Sequence, residues 1–302
     1  MKDEQKQKYE ASLKSIETEN RIDRIFYRPL GFRLAVLLTP TGITPNAITI
    51  ISIFVGVAAG ILFGSQSVWY NMIGIVLLIS ANILDCVDGQ LARLTGIKSA
   101  IGRILDGLAG DFWFLAIYIS LALRLSHQYG GHTGWFFAMA IAAGLSNLLQ
   151  SNITDYYKTL HLFFISPAKG AEFETPEQVK AKHSEMPYGV SKMFYFLYVW
   201  YTLLQVKATP HLQSLLGWLR TKFGADIPEE LRLQLRKGSR SIMPTIDLLT
   251  FNGRSIVLFI VLLTGYVWAY LLYEIVVLNI VLWLAMHKHE AMCRNFLRSQ
   301  KQ

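Results

Sequence analysis

The sequence predicts an all-α integral membrane protein with six transmembrane helices, an N-terminal interfacial amphipathic helix, and a cytosolic or interfacial helical insert between the fourth and fifth transmembrane helices. Of its 302 residues, 52% are hydrophobic and 17% are charged, whereas soluble domains carry about a quarter charged residues. Several apolar segments are close to the roughly 20 residues that a helix needs to cross the hydrocarbon core. The loops between them differ in basic charge, which fixes the number of crossings.

The composition also bears on the partners of the chain. The formal net charge of +8 fits Lys and Arg on cytosolic loops beside anionic lipid headgroups. Because the basic residues are scattered between apolar segments, we expect the lipid bilayer, and no nucleic acid, as a partner. The two cysteines, Cys86 and Cys293, are far apart and predict no disulfide framework.

The N-terminal segment is predicted to form a solvated tail followed by an interfacial arm. Residues 1–19 alternate charged and polar side chains, which is typical of a solvated helix or a frayed tail. Residues 20–38 mix four arginines with apolar side chains, which favours an amphipathic helix in the headgroup region, broken or kinked at Pro29. Thr44 then predicts an N-cap and Pro45 the first position of the first membrane helix.

The membrane spans follow from hydrophobicity and loop charge together. Spans are predicted at about 46–64, 68–91, 101–124 and 133–157, with two more within 253–289 that separate near 270–274. A further apolar run, Met193–Val206, is short for a span and is typical of an interfacial or re-entrant segment.

Loop charge predicts six crossings with both termini in the cytosol. The loops 64–68 and 125–133 contain no Lys or Arg and are expected outside, whereas the basic tails, the 92–100 turn and the segments 158–192 and 207–252 are expected inside. The predicted organisation is 1–45, cytosolic tail and interfacial arm; 46–158, transmembrane helices 1–4; 159–252, cytosolic or interfacial insert; and 253–302, transmembrane helices 5–6 and cytosolic tail.

Four carboxylates lie where the second and third spans meet: Asp85, Asp88, Asp106 and Asp111. Carboxylates are costly at the edge of a bilayer and seldom occur there without a function. Clustered carboxylate oxygens suit a hard divalent cation such as Mg²⁺ or Mn²⁺, which in turn suits a phosphate-bearing substrate. The sequence therefore predicts a metal-dependent site at this junction, with these four residues as metal ligands.

The residues between the carboxylates fit the same chemistry. Asp85 and Asp88 are three residues apart, so both project from one helix face. Gly89 lets a phosphate approach the backbone, and Ala92 continues that close surface one turn further on. Arg93 can pair with phosphate oxygens. Gly102, one turn before Asp106, leaves room for the facing helix.

This stretch resembles the signature of the CDP-alcohol phosphotransferase (phosphatidyltransferase) family. That signature is Asp, two residues, Asp-Gly, two residues, Ala-Arg, eight residues, Gly, three residues, Asp, three residues, Asp. The residues in register are Asp85, Asp88, Gly89, Ala92, Arg93, Gly102 and Asp106. The Thr-Pro-Asn start of the first span and the six-helix plan are also similar, whereas the insert extends beyond the family's core.

The resemblance implies an enzyme that transfers a substituted phosphate from a CDP-alcohol to an acceptor alcohol, releases CMP and depends on a divalent metal. It implies substrate contacts at Gly89, Ala92, Arg93 and Gly102, and it places Asn46 and Thr49 near the nucleotide pocket. Arg103 is a further candidate ligand for an acceptor phosphate. At least one substrate is expected to be a lipid that enters from the bilayer, and a homodimer is a further expectation.

The chain departs from the signature at its last carboxylate. The family has an Asp four residues after Asp106, but this chain has Gly110 followed by Asp111. In an ideal helix the fourth residue is rotated by about 40° and the fifth by about 140°, so Asp111 would face away from Asp106. A π-bulge would restore both to one face. We expect Asp106 and Asp111 to be catalytic, with Asp111 in the role of the family's last Asp, the base that deprotonates the acceptor.

Several interpretations remain open at the sequence level. CDP-diacylglycerol is the favoured donor, with glycerol 3-phosphate, inositol, inositol phosphate or serine as acceptor, because several basic residues near the site favour an anionic acceptor. The alternative is an aminoalcohol phosphotransferase that uses CDP-choline or CDP-ethanolamine and a lipid hydroxyl. A non-catalytic polytopic membrane protein is the alternative of a different class, favoured only by the shifted Asp111. His287, His289 and Glu290 are interpreted as interfacial rather than metal-binding.

Overall fold

The computed structural model of the chain describes residues 2–97, 100–130, 132–166, 176–186, 188–224 and 226–300. Within these ranges a few side chains, including that of Arg103, lie outside the description. The helices are α1 (Lys2–Ala11), α2 (Arg28–Leu38), α3 (Pro45–Leu62), α4 (Val68–Thr95), α5 (Ala100–Tyr129), α6 (Thr133–Ile165), α7 (Pro176–Glu185), α8 (Val190–Ala208), α9 (Pro210–Phe223), α10 (Glu229–Arg240), α11 (Met243–Asp247), α12 (Phe251–Thr264), α13 (Trp268–Leu272) and α14 (Leu278–Ser299). Two π-helical turns, Asp23–Tyr27 and Tyr273–Val277, and a 3₁₀ turn, Thr39–Thr41, complete the regular structure of the described residues.

Six helical segments of the described chain are long and apolar enough to cross a membrane, which confirms the predicted all-α membrane protein with six transmembrane helices. They are Pro45–Leu62, Val68–Thr95, Leu105–Tyr129, Thr133–Ile165, Met243–Thr264 and Trp268–Ser299. Helix α8, which contains the short apolar run, is not among them. The last two spans separate at residues 265–267, not near 270–274 as predicted. Gly265 has a φ of 84°, and this left-handed conformation, which glycine adopts without strain, ends α12.

Local signals set the ends of the helices that position the acidic cluster. The Thr44 side chain accepts a hydrogen bond from the Ala47 N–H, and Pro45 occupies the first turn of α3, as predicted. Helix α4 ends at Gly96, whose φ of 73° is left-handed. Because only a short connection separates α4 from α5, the end of α4 and the start of α5 lie close together.

One compact unit contains residues 1–148 and 251–277. Within it, α3 packs closely against α5 because small residues face the contact. A Cβ at Gly60 would lie 2.9 Å from the Ala116 Cβ, and a Cβ at Gly56 would overlap the Trp113 indole. Such small-residue contacts are how helices associate within a bilayer, where lipid removes the hydrophobic drive.

The N-terminal arm belongs to this unit and packs on α4 more closely than predicted. Pro29 has no N–H to donate, and a π-helical turn precedes it at the start of α2. The segment after α1 is not a solvated tail, since Ser12 is fully buried. The Gln90 amide donates a 3.1 Å hydrogen bond to the Ser12 hydroxyl, and Arg93 Nε donates to the Ser12 carbonyl oxygen. The polar side chains of Gln90 and Arg93 therefore hold the arm against α4, because buried polar groups need hydrogen-bond partners.

The other compact unit contains residues 149–250 and 278–302. Helix α9 packs an apolar face against α14; its buried residues are Leu212, Leu215, Leu216 and Leu219. Their helical spacing places the four leucines on one apolar face. The sequence limits proposed for the four segments of the chain stay a prediction.

Candidate active site

Three of the four predicted carboxylates meet where α4 ends and α5 begins. One carboxylate oxygen each from Asp85, Asp88 and Asp106 lies within 4.8 Å of the other two. Asp88 is buried, with 3% of its surface exposed, and the other two are half-buried. Three carboxylates at this separation repel one another unless a cation or protons compensate their charge. The cluster is therefore suited to a hard divalent cation.

Thr49 positions the innermost carboxylate. Its hydroxyl lies 2.5 Å from Asp88 Oδ2 and 3.1 Å from the Pro45 carbonyl oxygen, one helical turn earlier on α3. The Thr49 side chain is buried, and its hydrogen bond to Asp88 connects α3 with α4. The residue predicted to contact substrate thus holds a carboxylate of the cluster in place.

Arg93 covers the glycine of the motif. A Cβ at Gly89 would lie 3.1 Å from Arg93 Nη2, so the absence of a side chain there makes room for the guanidinium. Arg93 also donates to the Ser12 carbonyl oxygen, which links the N-terminal arm to the motif. Ala92 and Gly102 are half-buried nearby on α4 and α5.

Of two other residues predicted to contact substrate, Asn46 and Arg103, only the first has a described side chain. Asn46 is half-buried in the first turn of α3, one turn before Thr49. Arg103 lies on α5, but its side chain is outside the described residues.

Asp111 is not part of the three-carboxylate cluster in the described structure. Helix α5 is α-helical throughout Ala100–Tyr129, so the π-bulge expected between Asp106 and Asp111 is absent. With ideal α-helical geometry the two side chains point about 140° apart. Asp111 instead lies within electrostatic range of the Arg254 guanidinium on α12. The π-helical turns of the described residues, Asp23–Tyr27 and Tyr273–Val277, occur where none was predicted.

Arg28 lies near the cluster, although the sequence assigned it to the lipid headgroups. Its Nε donates a 2.9 Å hydrogen bond to the Glu19 carboxylate, its side chain is 20% exposed, and it interacts electrostatically with Asp85. Burial, reinforced by the Asp23 carboxylate, raises the pKa of the neighbouring Tyr27 to about 12, so its hydroxyl stays protonated at neutral pH. The sequence signal for this buried pair was the acidic residue Glu19, which directly precedes the arm and could neutralise one of its arginines.

A second charged group that the sequence analysis missed lies inside the apolar spans. Arg254 Nη1 is 2.5 Å from Glu274 Oε2, and the two side chains are 2% and 0% exposed. The Tyr270 hydroxyl donates a 2.8 Å hydrogen bond to the other Glu274 oxygen, and the guanidinium lies 5.8 Å from the centroid of the Phe114 ring. Glu274 falls in the π-helical turn Tyr273–Val277. Ionisable residues within predicted spans were the signal, because they are rare there and usually functional.

Comparison with known proteins agrees with the resemblance that the motif carries. A model of the CDP-alcohol phosphatidyltransferase family matches residues 42–219. An archaetidylinositol phosphate synthase of Pyrococcus horikoshii is 35% identical over 103 residues, which are 34% of this chain and 50% of the archaeal protein. A ceramide phosphoethanolamine synthase of Drosophila melanogaster is 32% identical over 95 residues, 29% of this chain and 24% of the fly protein. The chain thus matches half of the archaeal relative and about a quarter of the fly relative.

Proposed function

Since the chain belongs to the CDP-alcohol phosphatidyltransferase family, whose members are transferases of substituted phosphate groups, we propose that it is a phospholipid-synthesising membrane enzyme. It transfers a substituted phosphate from a CDP-linked alcohol to an acceptor alcohol. The acceptor oxygen forms a bond to the phosphorus bound to the donor alcohol, and the bond from that phosphorus to the bridging pyrophosphate oxygen breaks. The bridging oxygen leaves with CMP, and the acceptor proton passes to a carboxylate.

The three-carboxylate cluster is the observation that carries this proposal. Asp85, Asp88 and Asp106 offer only oxygen ligands, and these lie close enough together to share one small cation. We propose that they hold Mg²⁺ or Mn²⁺, which would neutralise the pyrophosphate and stabilise the CMP leaving group. Thr49 fixes the orientation of Asp88, and Arg93 offers a guanidinium for phosphate oxygens beside Gly89.

We propose that Asp106 is the base that deprotonates the acceptor. The resemblance implied this role for Asp111, on the same face of α5 as Asp106. Asp106 belongs to the cluster, whereas Asp111 is directed to another side of α5 with Arg254 nearby. A base must reach the proton that it removes, directly or through one water. The geometry supports Asp106 in that role and supports three, not four, metal-binding carboxylates.

The favoured donor is CDP-diacylglycerol. Arg28 and Arg93 both lie near the cluster, and such cations favour an anionic, phosphorylated acceptor. The name of the archaeal relative, archaetidylinositol phosphate synthase, refers to a phosphorylated inositol lipid, which also favours an anionic acceptor. The alternative is transfer of an aminoalcohol phosphate from CDP-choline or CDP-ethanolamine to a lipid hydroxyl, which the fly ceramide phosphoethanolamine synthase favours.

We place the active site and both termini on the cytosolic side. The connection between α4 and α5 and the C-terminal tail are basic, whereas the loops at the other ends of the early spans carry no Lys or Arg. This side is where CDP-activated substrates are made and polar acceptors are available, and the lipid substrate reaches the site laterally from the bilayer.

The reaction is tested with the purified enzyme in lipid nanodiscs. CDP-diacylglycerol, CDP-choline and CDP-ethanolamine are each offered with a panel of acceptors, while CMP release and the product mass are measured. We expect CMP release with one donor class, and a loss of at least about 100-fold in Asp88→Asn, because metal stabilisation of the transition state is worth several kcal/mol. Asp226→Asn, which alters an exposed carboxylate, is the matched control and should keep full activity. Absence of CMP release with every donor would place the chain in the non-catalytic class.

The base is tested separately by comparing Asp106→Asn with Asp111→Asn. Removing a general base typically lowers the rate by about 10²–10⁴-fold. The turnover of Asp106→Asn should therefore be lower than that of the native chain by at least about 100-fold. Asp111→Asn should keep turnover within about tenfold, because its carboxylate does not join the cluster. If Asp111→Asn is the more damaging of the two at saturating metal, Asp111 is the base and the assignment to Asp106 is wrong.

A further inference from the structure

A second set of metal-ligand side chains lies on α14, in the unit that does not contain the acidic cluster. His289, Glu290 and Cys293 each offer one ligand atom, and these atoms all lie within 4.8 Å of one another. The imidazole and the thiol are fully buried, and the carboxylate is half-buried. The sequence interpretation placed His289 at the membrane interface, and the structure shows that its side chain is enclosed by protein. The proposed transfer reaction uses none of these three side chains.

The spacing of the two buried donors fits a tetrahedral ion. His289 and Cys293 are one helical turn apart, and the Cys293 Sγ lies 3.6 Å from the His289 Nδ1. Zinc binds nitrogen at about 2.05 Å and sulfur at about 2.3 Å, and a tetrahedral angle between these bonds separates the two atoms by about 3.6 Å. The side chains therefore need little rearrangement to share an ion.

Two polar atoms beside these donors have no hydrogen-bond partner in the described part of the chain: His289 Nε2 and the Tyr157 hydroxyl. The Tyr157 ring stacks on the imidazole with centroids 4.0 Å apart, and its hydroxyl interacts electrostatically with Glu290 and Cys293. Buried polar groups are nearly always paired. A water carried by a bound ion would supply a partner for the Tyr157 hydroxyl. His289 Nε2 lies on the other side of the ring from the Nδ1 that faces Cys293, so that ion would leave it unchanged.

Glu290 is held in place by a neighbouring helix. Its two oxygens accept hydrogen bonds of 2.6 Å from the His211 N–H and 3.2 Å from the Leu212 N–H, in the first turn of α9. An ionised carboxylate has about four acceptor positions, so two remain available for a cation. Such anchoring of a ligand by backbone groups is typical of built metal sites.

We propose that His289, Glu290 and Cys293 bind a borderline transition-metal ion, with Zn²⁺ as the expected occupant. Thiolate and imidazole donors select zinc over magnesium, whereas the all-carboxylate cluster does the reverse. The thiolate and the carboxylate together neutralise the two charges of the ion. Because Glu290 also caps α9, an ion that binds the folded form stabilises the arrangement in which the C-terminal helix contacts the insert.

Metal content tests the proposal directly, and independently of the transfer reaction. The chain is expressed in cells grown with trace zinc, purified, and passed through a weak chelator resin. Its metal content is then measured by inductively coupled plasma mass spectrometry. We expect stoichiometric zinc in the native chain and in His287→Ala, a matched control that alters an exposed histidine on the same helix. We expect zinc to be lost in His289→Ala and in Cys293→Ala. Zinc that is absent from the native chain, or retained in both of these variants, would overturn the proposal.

Cobalt substitution gives a readout that does not depend on how well the alanine variants fold. Replacing zinc with Co²⁺ in the native chain should produce the thiolate-to-cobalt charge-transfer absorption of a cysteine ligand. The chain has two cysteines, so Cys86→Ser and Cys293→Ser form a matched pair. The band should persist in Cys86→Ser and disappear in Cys293→Ser. A native chain without the band, or a band that follows Cys86, would contradict the assignment.

Discussion

Replacing Arg254 with methionine removes the cation from an ion pair that lies inside two apolar spans. Arg254 and Glu274 are 2.5 Å apart and almost completely buried, so neither charge is solvated by water. The change removes the cation, while the Glu274 carboxylate still accepts a hydrogen bond from the neutral Tyr270 hydroxyl. Methionine fills a similar volume, so the change acts mainly through charge.

The size of the effect follows from the burial of the pair. Removing one partner of a buried ion pair costs about 3–5 kcal/mol, because the other charge is left uncompensated, whereas removing both charges is often close to neutral. We therefore expect Arg254→Met to lower the free energy of unfolding by about 4 kcal/mol. The double variant Arg254→Met/Glu274→Gln keeps an acceptor for Tyr270 and should recover to within about 2 kcal/mol of the native chain.

A double-mutant cycle measures this coupling. The free energy of unfolding is obtained in mixed micelles by denaturing-detergent titration for the native chain, both single variants and the double variant. Since the residues are in contact, the double variant should be more stable than the sum of the single effects by at least about 2 kcal/mol. If Arg254→Met costs less than about 1 kcal/mol, the pair is solvated and the inference of a desolvated ion pair is wrong.

Three further outcomes test the site and its packing. Thr49→Val removes the hydroxyl that orients the innermost carboxylate and should raise the Mg²⁺ concentration for half-maximal CMP release by about 10–100-fold; Thr49→Ser keeps the hydroxyl, and equal shifts in both variants would contradict this reason. Excess chelator should abolish CMP release, with recovery on addition of Mg²⁺ or Mn²⁺, and a chelator-insensitive enzyme would refute metal dependence. Gly56→Ala forces a methyl group into an indole ring and should lower stability by about 1–3 kcal/mol. Its control, Gly217→Ala, meets no atom within 4 Å in mid-helix and should be neutral or stabilising by up to about 1 kcal/mol.

Features that depend on nearby residues were predictable from the sequence. Apolar length gave the number of spans, and Thr44 and Pro45 gave the start of α3, because capping involves groups within one helical turn. The break between the last two spans was predicted several residues too late. Hydropathy is averaged over a window, whereas the break itself depends on the backbone conformation of Gly265.

The candidate site was only partly predictable, because it depends on which helix faces meet. Asp85 and Asp88 share a face by spacing alone, and the family signature brought Asp106 to them. A single residue of register separates Asp111 from the expected position. Whether a π-bulge absorbs that residue is decided by packing of the whole helix, and α5 remains α-helical.

The sequence by itself determined that this is a six-span membrane protein with the acidic motif of a known family, since composition and short spacings carry that information. Tertiary structure decided the roles of side chains whose partners are distant in the chain. Thr49 meets Asp88 across 39 residues, and Glu290 meets the start of α9 across 79. Such pairs form because buried polar groups must find partners wherever the helices bring them together, and no local pattern specifies which partner that is.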